Sequence, residues 1–145
     1  SYWLRSTERP PTFPPVTADV TCDVAVIGAG ITGLTAADLL TRAGRKVVVI
    51  EAGRIGSGTT GGTSAHLDAH PEESPKTHIR DFGEEAAREL TVARYRAIDH
   101  IERRIVELGG GCDFKRIDGY QYTEDPAQAD NLRQEVPNWK RIGLT

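Results

Sequence analysis

Three glycines and one acid have the residue types and spacing most able to do chemistry in this chain. Gly28, Gly30 and Gly33 form a G-x-G-x-x-G within Gly28-Ala29-Gly30-Ile31-Thr32-Gly33, and Glu51 follows eighteen residues after Gly33. A pyrophosphate must come close to the backbone if N–H groups are to hold it. Gly28 would then permit the tight turn, Gly30 would leave no side chain in the way, and Gly33 would let a helix and a strand pack closely. A helix that begins near Ile31 adds unpaired N–H groups and the positive end of its dipole. Glu51 can accept hydrogen bonds from ribose hydroxyls, and its charge repels a 2′-phosphate, which disfavours NADP.

These residues need two strands and a helix to position them. Val24-Ala25-Val26-Ile27 is a short run rich in β-branched residues that stops at Gly28, as expected of a parallel strand covered on both faces. Leu34, Ala37, Leu40 and Ala43 then recur at helical spacing, and Gly44 is placed to end that helix in the left-handed conformation. Lys46-Val47-Val48-Val49-Ile50 is a second buried strand that ends on Glu51. A glycine triplet alone also serves ordinary turns. Set between two strands and a helix, with the acid at the second strand tip, it predicts a dinucleotide-binding βαβ unit.

The loop after Glu51 reads AGRIGSGTTGGT over residues 52–63, with glycines at 53, 56, 58, 61 and 62. That density predicts a loop with exposed backbone and no regular element. Ser57, Thr59, Thr60, Thr63 and Ser64 add hydroxyls on the side where a cofactor would lie. A flexible linker has the same composition. A short helix is expected to start near Thr63 and lead to His66. Residues 67–83 are polar, and His66, His70 and His78 stand at intervals of four and eight. Pro71 breaks the helix that a metal site of that spacing would need, so these read as solvated loop histidines and no metal is expected.

The remaining segments read as packing. Ala86, Ala87, Leu90, Ala93, Ala97, Ile98, Ile101, Ile105 and Leu108 step by three and four, predicting one apolar stripe on a long helix over 84–108 that Gly109-Gly110-Gly111 stops. Residues 112–116 and 120–123 alternate across Asp118-Gly119, a hairpin signal. After Pro126, residues 129–140 read as a helix with Leu132, Val136 and Trp139 on one side, kinked or ended by Pro137. At the other end, Pro10-Pro11 and Pro14-Pro15 predict an extended strap over 1–19 with no helix, docked through Tyr2, Trp3 and Phe13.

Composition limits the partners. A net charge of −3 over 145 residues gives no electrostatic case for nucleic acid or an anionic membrane. The longest apolar run, residues 24–31, is far below the roughly 20 residues of a membrane span, and the first residues lack the apolar centre of a signal peptide. Cys22 and Cys112 lie far apart with no metal-ligand spacing around either, which predicts two buried reduced thiols in a cytoplasmic protein. The absence of methionine points to a processed or truncated first residue.

With the glycine motif, Glu51, the loop GSGTTGGTSAH and the long helix taken together, the chain resembles the N-terminal part of an FAD-dependent oxidoreductase of the D-amino-acid oxidase, glycine oxidase and sarcosine oxidase superfamily. SYWL, VAVIGAGITGLTAADLL and EAGRIGSGTTG are similar to the bacterial branch often fused to a Rieske domain. The resemblance implies an α/β fold, namely the N-terminal part of a Rossmann-like FAD-binding fold with its βαβ unit at 20–66. Residues 67–145 would begin a substrate domain with the long helix and the β-hairpin. It implies that Gly28, Ala29, Gly30, Ile31, Thr32 and Gly33 hold the FAD pyrophosphate and that Glu51 and Ala52 meet the adenosine ribose. Arg54 would lie near the adenine, and Gly58, Thr59, Thr60, Thr63 and Ser64 would approach the pyrophosphate, ribityl chain or flavin. Where that branch commonly reads GTTGRT, Gly62 stands here in place of the basic residue.

The implied activity is oxidation of an amine or amino acid with hydride transfer to the flavin. No catalytic base stands out, and His66 is at most a neighbour of the flavin ring. Because this fold is discontinuous in sequence, the chain reads as an incomplete flavoprotein whose partners include its own remainder or a Rieske-type electron-transfer domain. An NAD-dependent dehydrogenase fragment and a non-catalytic, partner-binding remnant remain open alternatives at this stage.

Overall fold

The computed structural model describes residues 2–70 and 73–144, with the side chain of Trp3 left aside. Pro71, invoked above as a helix breaker, lies outside the described residues. The chain divides into two compact units, residues 1–66 and 67–145.

The first unit holds the mixed α/β part. Strands β1 (Val24–Ile27) and β2 (Val47–Ile50) pair in parallel, in the register Val24↔Val47 to Ile27↔Ile50. Helix α2 (Ile31–Arg42) connects them. The helix ends as a Schellman motif: the Gly44 N–H donates to Thr41 O at 2.9 Å and the Arg45 N–H to Leu40 O at 3.0 Å. Gly44 takes φ +79, where an L side chain would be strained. Two strands and one helix supply only one covering layer. Val24 and Val26 are therefore half-buried on the helix side, whereas Ile27 is 77% exposed, contrary to the expectation of strands covered on both faces.

The N-terminal strap also differs from expectation. Residues Trp3–Ser6 form a helical turn, α1, ahead of the prolines that were expected to exclude one. Tyr2 and Phe13 are each 71% exposed, so they do not dock the strap within this unit. Leu4 makes the close contact instead: a Cβ built on Gly61 would lie 3.0 Å from Leu4 Cδ2. Gly61 belongs to α3 (Thr59–Gly62), a helical turn inside the loop expected to have none. Thr63 is extended, so the helix expected to start there has already ended.

The second unit is helical. Helix α4 (Pro75–Phe82) occupies part of the expected polar loop. Pro75 sits at N1, where its missing N–H is no loss, and the Ser74 hydroxyl accepts from the Thr77 N–H at 3.2 Å. His70 and His78 are consequently half-buried, while His66, in the first unit, is exposed. The His70 ring meets Trp139 edge-on at 5.0 Å.

Helix α5 (Glu84–Glu107) runs nearly as predicted and closes on Gly109 and Gly110 in a second Schellman motif. Its packed face keeps Ala87, Ile98, Ile101 and Ile105 of the expected stripe, the three isoleucines half-buried, and departs from it elsewhere. Ala87 and Thr91 are buried, whereas Leu90, Ala93 and Ala97 are exposed. Thr91 tolerates burial because its hydroxyl donates to Ala87 O at 3.0 Å.

Residues 112–123 contain no strand, so the predicted hairpin is not formed. Ile117, Tyr120 and Tyr122 are 80%, 83% and 85% exposed, and two strands with no covering layer gain too little burial to persist. Arg116 instead ties this segment to α5 through Asp99 at 2.6 Å and Glu102 at 2.7 Å. Helix α6 (Pro126–Arg141) starts earlier than predicted, capped by Asp125, and continues past Pro137. Its end buries Ile142 and Leu144 against Ala87, with Ile79, Tyr95 and Trp139 packed around them. Both cysteines are free, but Cys22 is only half-buried and Cys112 is exposed, unlike the buried pair expected.

The tightest packing lies at Gly33. A Cβ there would stand 2.0 Å from the Gly28 carbonyl oxygen and 3.2 Å from Val26 Cγ1. Because the first obstacle is backbone, Gly33→Ala is expected to destabilise the first unit by about 3 kcal/mol. Urea denaturation measures it, and a loss close to zero would contradict this close approach.

Candidate functional site

The glycine turn between β1 and α2 gathers most of the candidate residues. Gly28 donates to Ile50 O at 2.7 Å and takes φ +99, which carries the backbone sharply off the strand. Ala29, 1% exposed, lies at the bottom of the turn. Its N–H donates to Glu51 Oε2 at 2.7 Å, and the Gly53 N–H donates to Glu51 Oε1 at 2.8 Å. The two oxygens of one carboxylate thus clamp the turn to the start of the following loop. These contacts, that from Ala29 foremost, hold the Glu51 carboxyl below the ordinary 4.5, because each N–H favours the ionised form.

The loop then folds over the turn. The Gly56 N–H donates to Ala29 O at 2.9 Å. The Ile31 N–H, at the first position of α2, donates to Thr60 Oγ1 at 2.9 Å. A side chain on Gly30 would crowd the same hydroxyl, since a Cβ there would lie 3.2 Å from it. Among the described residues, the Gly30, Thr32 and Gly33 N–H groups reach no acceptor. Unpaired donors at the positive end of a helix are suited to an anion.

The other candidates stand apart from this network. Arg54 is exposed, and its N–H turns back to Ser57 Oγ at 3.3 Å. Ala52, Gly58 and Thr59 are exposed and Thr32 lies on the open side of α2. Thr63 and Ser64 accept from the Ala65 and His66 N–H groups, so their hydroxyls serve the local turn, where Ala65 takes φ +60. Sequence reasoning did not single out Gly53, Gly56 or Gly61 for separate roles, nor Leu4. The only sequence signal was the glycine density of residues 52–63; the structure adds that Gly61 is buried and that a Cβ on it would meet Gly56 O at 2.5 Å. Among the described residues no three His, Cys, Asp or Glu side chains gather where a metal ion could sit. None of their helices is long and apolar enough to cross a membrane.

Comparison with known proteins agrees with this architecture. Residues 23–144 match the family described as FAD dependent oxidoreductase (DAO). The chain is 36% identical over 99% of its length to YhfW of Bacillus subtilis, whose name describes a Rieske 2Fe-2S iron-sulfur protein, and covers 28% of that relative. It is 32% identical over 99% of its length to gamma-glutamylputrescine oxidoreductase of Escherichia coli, covering 33% of it. To glycine oxidase of Bacillus licheniformis it is 32% identical over 67% of its length, covering 24%. The chain thus spans about a third or less of these curated relatives. No solved structure matches significantly. The match from the start of β1 to the end of the second unit means that this chain belongs to the FAD-dependent oxidoreductases of the DAO family.

Proposed function

We propose that this chain supplies the nucleotide half of an FAD site in an enzyme that oxidises an amine or amino acid. The observation that carries the reading is the glycine turn: unpaired N–H groups of Gly30, Thr32 and Gly33 at the start of α2, with Glu51 beside them. The FAD pyrophosphate would lie against those donors, where the lack of side chains on Gly28 and Gly30 lets it approach. Each Glu51 oxygen still has a lone pair beyond its backbone bond, so the carboxylate can take a ribose hydroxyl while it holds the turn.

Bound FAD would supply the electron acceptor; the chain's own part is to bind and orient it. Arg54 would face the adenine end, and Ala52, Gly58, Thr59, Thr63 and Ser64 would approach as the loop closes. Amine or amino-acid substrates are suggested by the names of the gamma-glutamylputrescine oxidoreductase and glycine oxidase relatives. A Rieske-type electron-transfer partner is suggested by the name of YhfW. A cytoplasmic setting accords with two unbridged cysteines. Residues 67–145 would open the substrate domain.

Two measurements test this reading. Titration of the protein with FAD should shift the flavin spectrum and raise the unfolding temperature, whereas NADH should do neither. NADH binding with no effect of FAD would reverse the cofactor assignment. Glu51→Gln should weaken FAD binding by about tenfold, the scale of one hydrogen bond to a charged group. The same variant tests the carboxylate clamp. Because the Glu51 value is lowered on folding, its contribution is present above the unfolded value near 4.5 and is lost as pH falls through the lower folded value. Unfolding temperatures followed from pH 7 to pH 3 should therefore fall less steeply in Glu51→Gln than in the parent. Parallel curves would contradict the clamp.

A further inference from the structure

The loop after Glu51 closes on the glycine turn through a piece of structure that cannot hold itself. Helix α3 is a four-residue turn, and two of its four residues are glycines. A single turn fixes several backbone dihedrals for one hydrogen bond, and glycine has the most freedom to lose. That bond runs from the Gly61 N–H to Gly58 O at 3.0 Å. Polar contacts tie the loop to the glycine turn, from the Gly56 N–H to Ala29 O and from the Ile31 N–H to Thr60 Oγ1.

Apolar support comes from the other side of the loop, from the N-terminal segment. Gly61 is buried, and the place its missing side chain would fill is bounded by Gly56 O at 2.5 Å and by Leu4 Cδ2 and Cγ at 3.0 and 3.5 Å. Leu4 thus lies over the bare backbone of Gly61. It belongs to α1, which is closed by the Arg5 and Ser6 N–H groups donating to Tyr2 O at 2.9 and 3.0 Å. Residues 7–23 connect α1 to β1 and include Pro10, Pro11, Pro14 and Pro15. Each proline fixes φ in the unfolded chain as well as in the folded one, which lowers the entropy lost when α1 is brought back to the loop. The family match begins at residue 23, so α1 and the strap stand ahead of the matched stretch.

We infer that Leu4 is a positioning residue for the cofactor loop: seated over Gly61, it holds Thr59–Gly62 against the glycine turn in the arrangement that receives FAD. The inference rests on the proposed FAD reading for what the loop receives. The seat itself stands on the Leu4–Gly61 contact. A ligand that binds only the closed loop has its affinity reduced by the fraction of molecules in which the loop is closed. Leu4 raises that fraction by acting through the loop. Its side chain is 59% exposed, so its truncation removes a local contact rather than a core residue.

Amide hydrogen exchange and FAD titration of Leu4→Ala and Leu4→Met test the seat. Alanine removes the atoms that reach Gly61, and methionine restores apolar bulk of similar volume. Without ligand, the Gly61 amide should exchange about fivefold faster in Leu4→Ala than in the parent. The Gly28 amide, bonded to Ile50 O at 2.7 Å, should keep its parental rate. FAD should bind Leu4→Ala about three- to fivefold more weakly, and Leu4→Met should return both readings to within about twofold of the parent. Parental Gly61 exchange in Leu4→Ala would overturn the seat. Equal acceleration at Gly61 and Gly28 would overturn it too, by showing that Leu4 supports the whole first unit rather than the loop. Faster Gly61 exchange with unchanged FAD affinity would overturn the positioning role. If FAD binds none of the three proteins, the nucleotide reading fails, and the Gly61 exchange rates still decide whether Leu4 holds the loop.

Discussion

The first unit depends on the absence of one side chain. Helix α2 lies so close to the turn that a Cβ on Gly33 would stand 2.0 Å from the Gly28 carbonyl. That approach fixes where α2 begins and which way its first N–H groups point. It also lets the β1–α2 turn leave the strand at Gly28 with φ +99. With a larger residue at position 33 the helix would have to shift, and the donors of residues 30–33 would shift with it. A packing constraint between backbone atoms thus sets the direction of those donors.

Glu51 adds the second fixed point. Parallel register places β2 beside β1, so that Ile50 pairs with Ile27 and the next residue reaches the turn. Its carboxylate then joins Ala29 to Gly53, coupling the turn to the loop. A carboxylate has more lone pairs than these two N–H groups use, so the ribose contact proposed for Glu51 would not compete with this clamp. The loop completes the arrangement through Gly56 and Thr60, each bonded to a residue of the turn. The helical second unit has its own small core around Ala87, Ile142 and Leu144.

The βαβ unit was legible in the sequence because each of its signals is local: two β-branched runs, a helical period, and glycines where the backbone turns or touches itself. Helix α5 was legible as a helix, and its buried face in part: Ala87, Ile98, Ile101 and Ile105 lie inward as the stripe predicted, but Leu90, Ala93 and Ala97 are exposed and Thr91 is buried. Only the bond from Thr91 to Ala87 explains why the polar residue can be inside. The hairpin over 112–123 failed for the opposite reason. Alternation was present, but a strand needs a partner and a covering layer that no local pattern supplies. Helix α4 was not legible, because residues 67–83 read as polar loop, and only the fold shows Pro75 as a first-turn residue behind a Ser74 cap. Within the site, the glycines and the acid were readable. The contacts from Glu51 to Ala29 and from Thr60 to Ile31 span 22 and 29 residues, and only the fold brings them together.

The central claim is that the start of α2 and the loop after Glu51 receive the pyrophosphate of a dinucleotide. Its most direct test is the amide spectrum of the protein recorded during titration with FAD. The account predicts saturable shifts concentrated at Gly30, Thr32 and Gly33, with a second group from Glu51 to Thr60. Saturable binding that leaves those three amides unmoved, or that shifts only residues of the second unit, would contradict it.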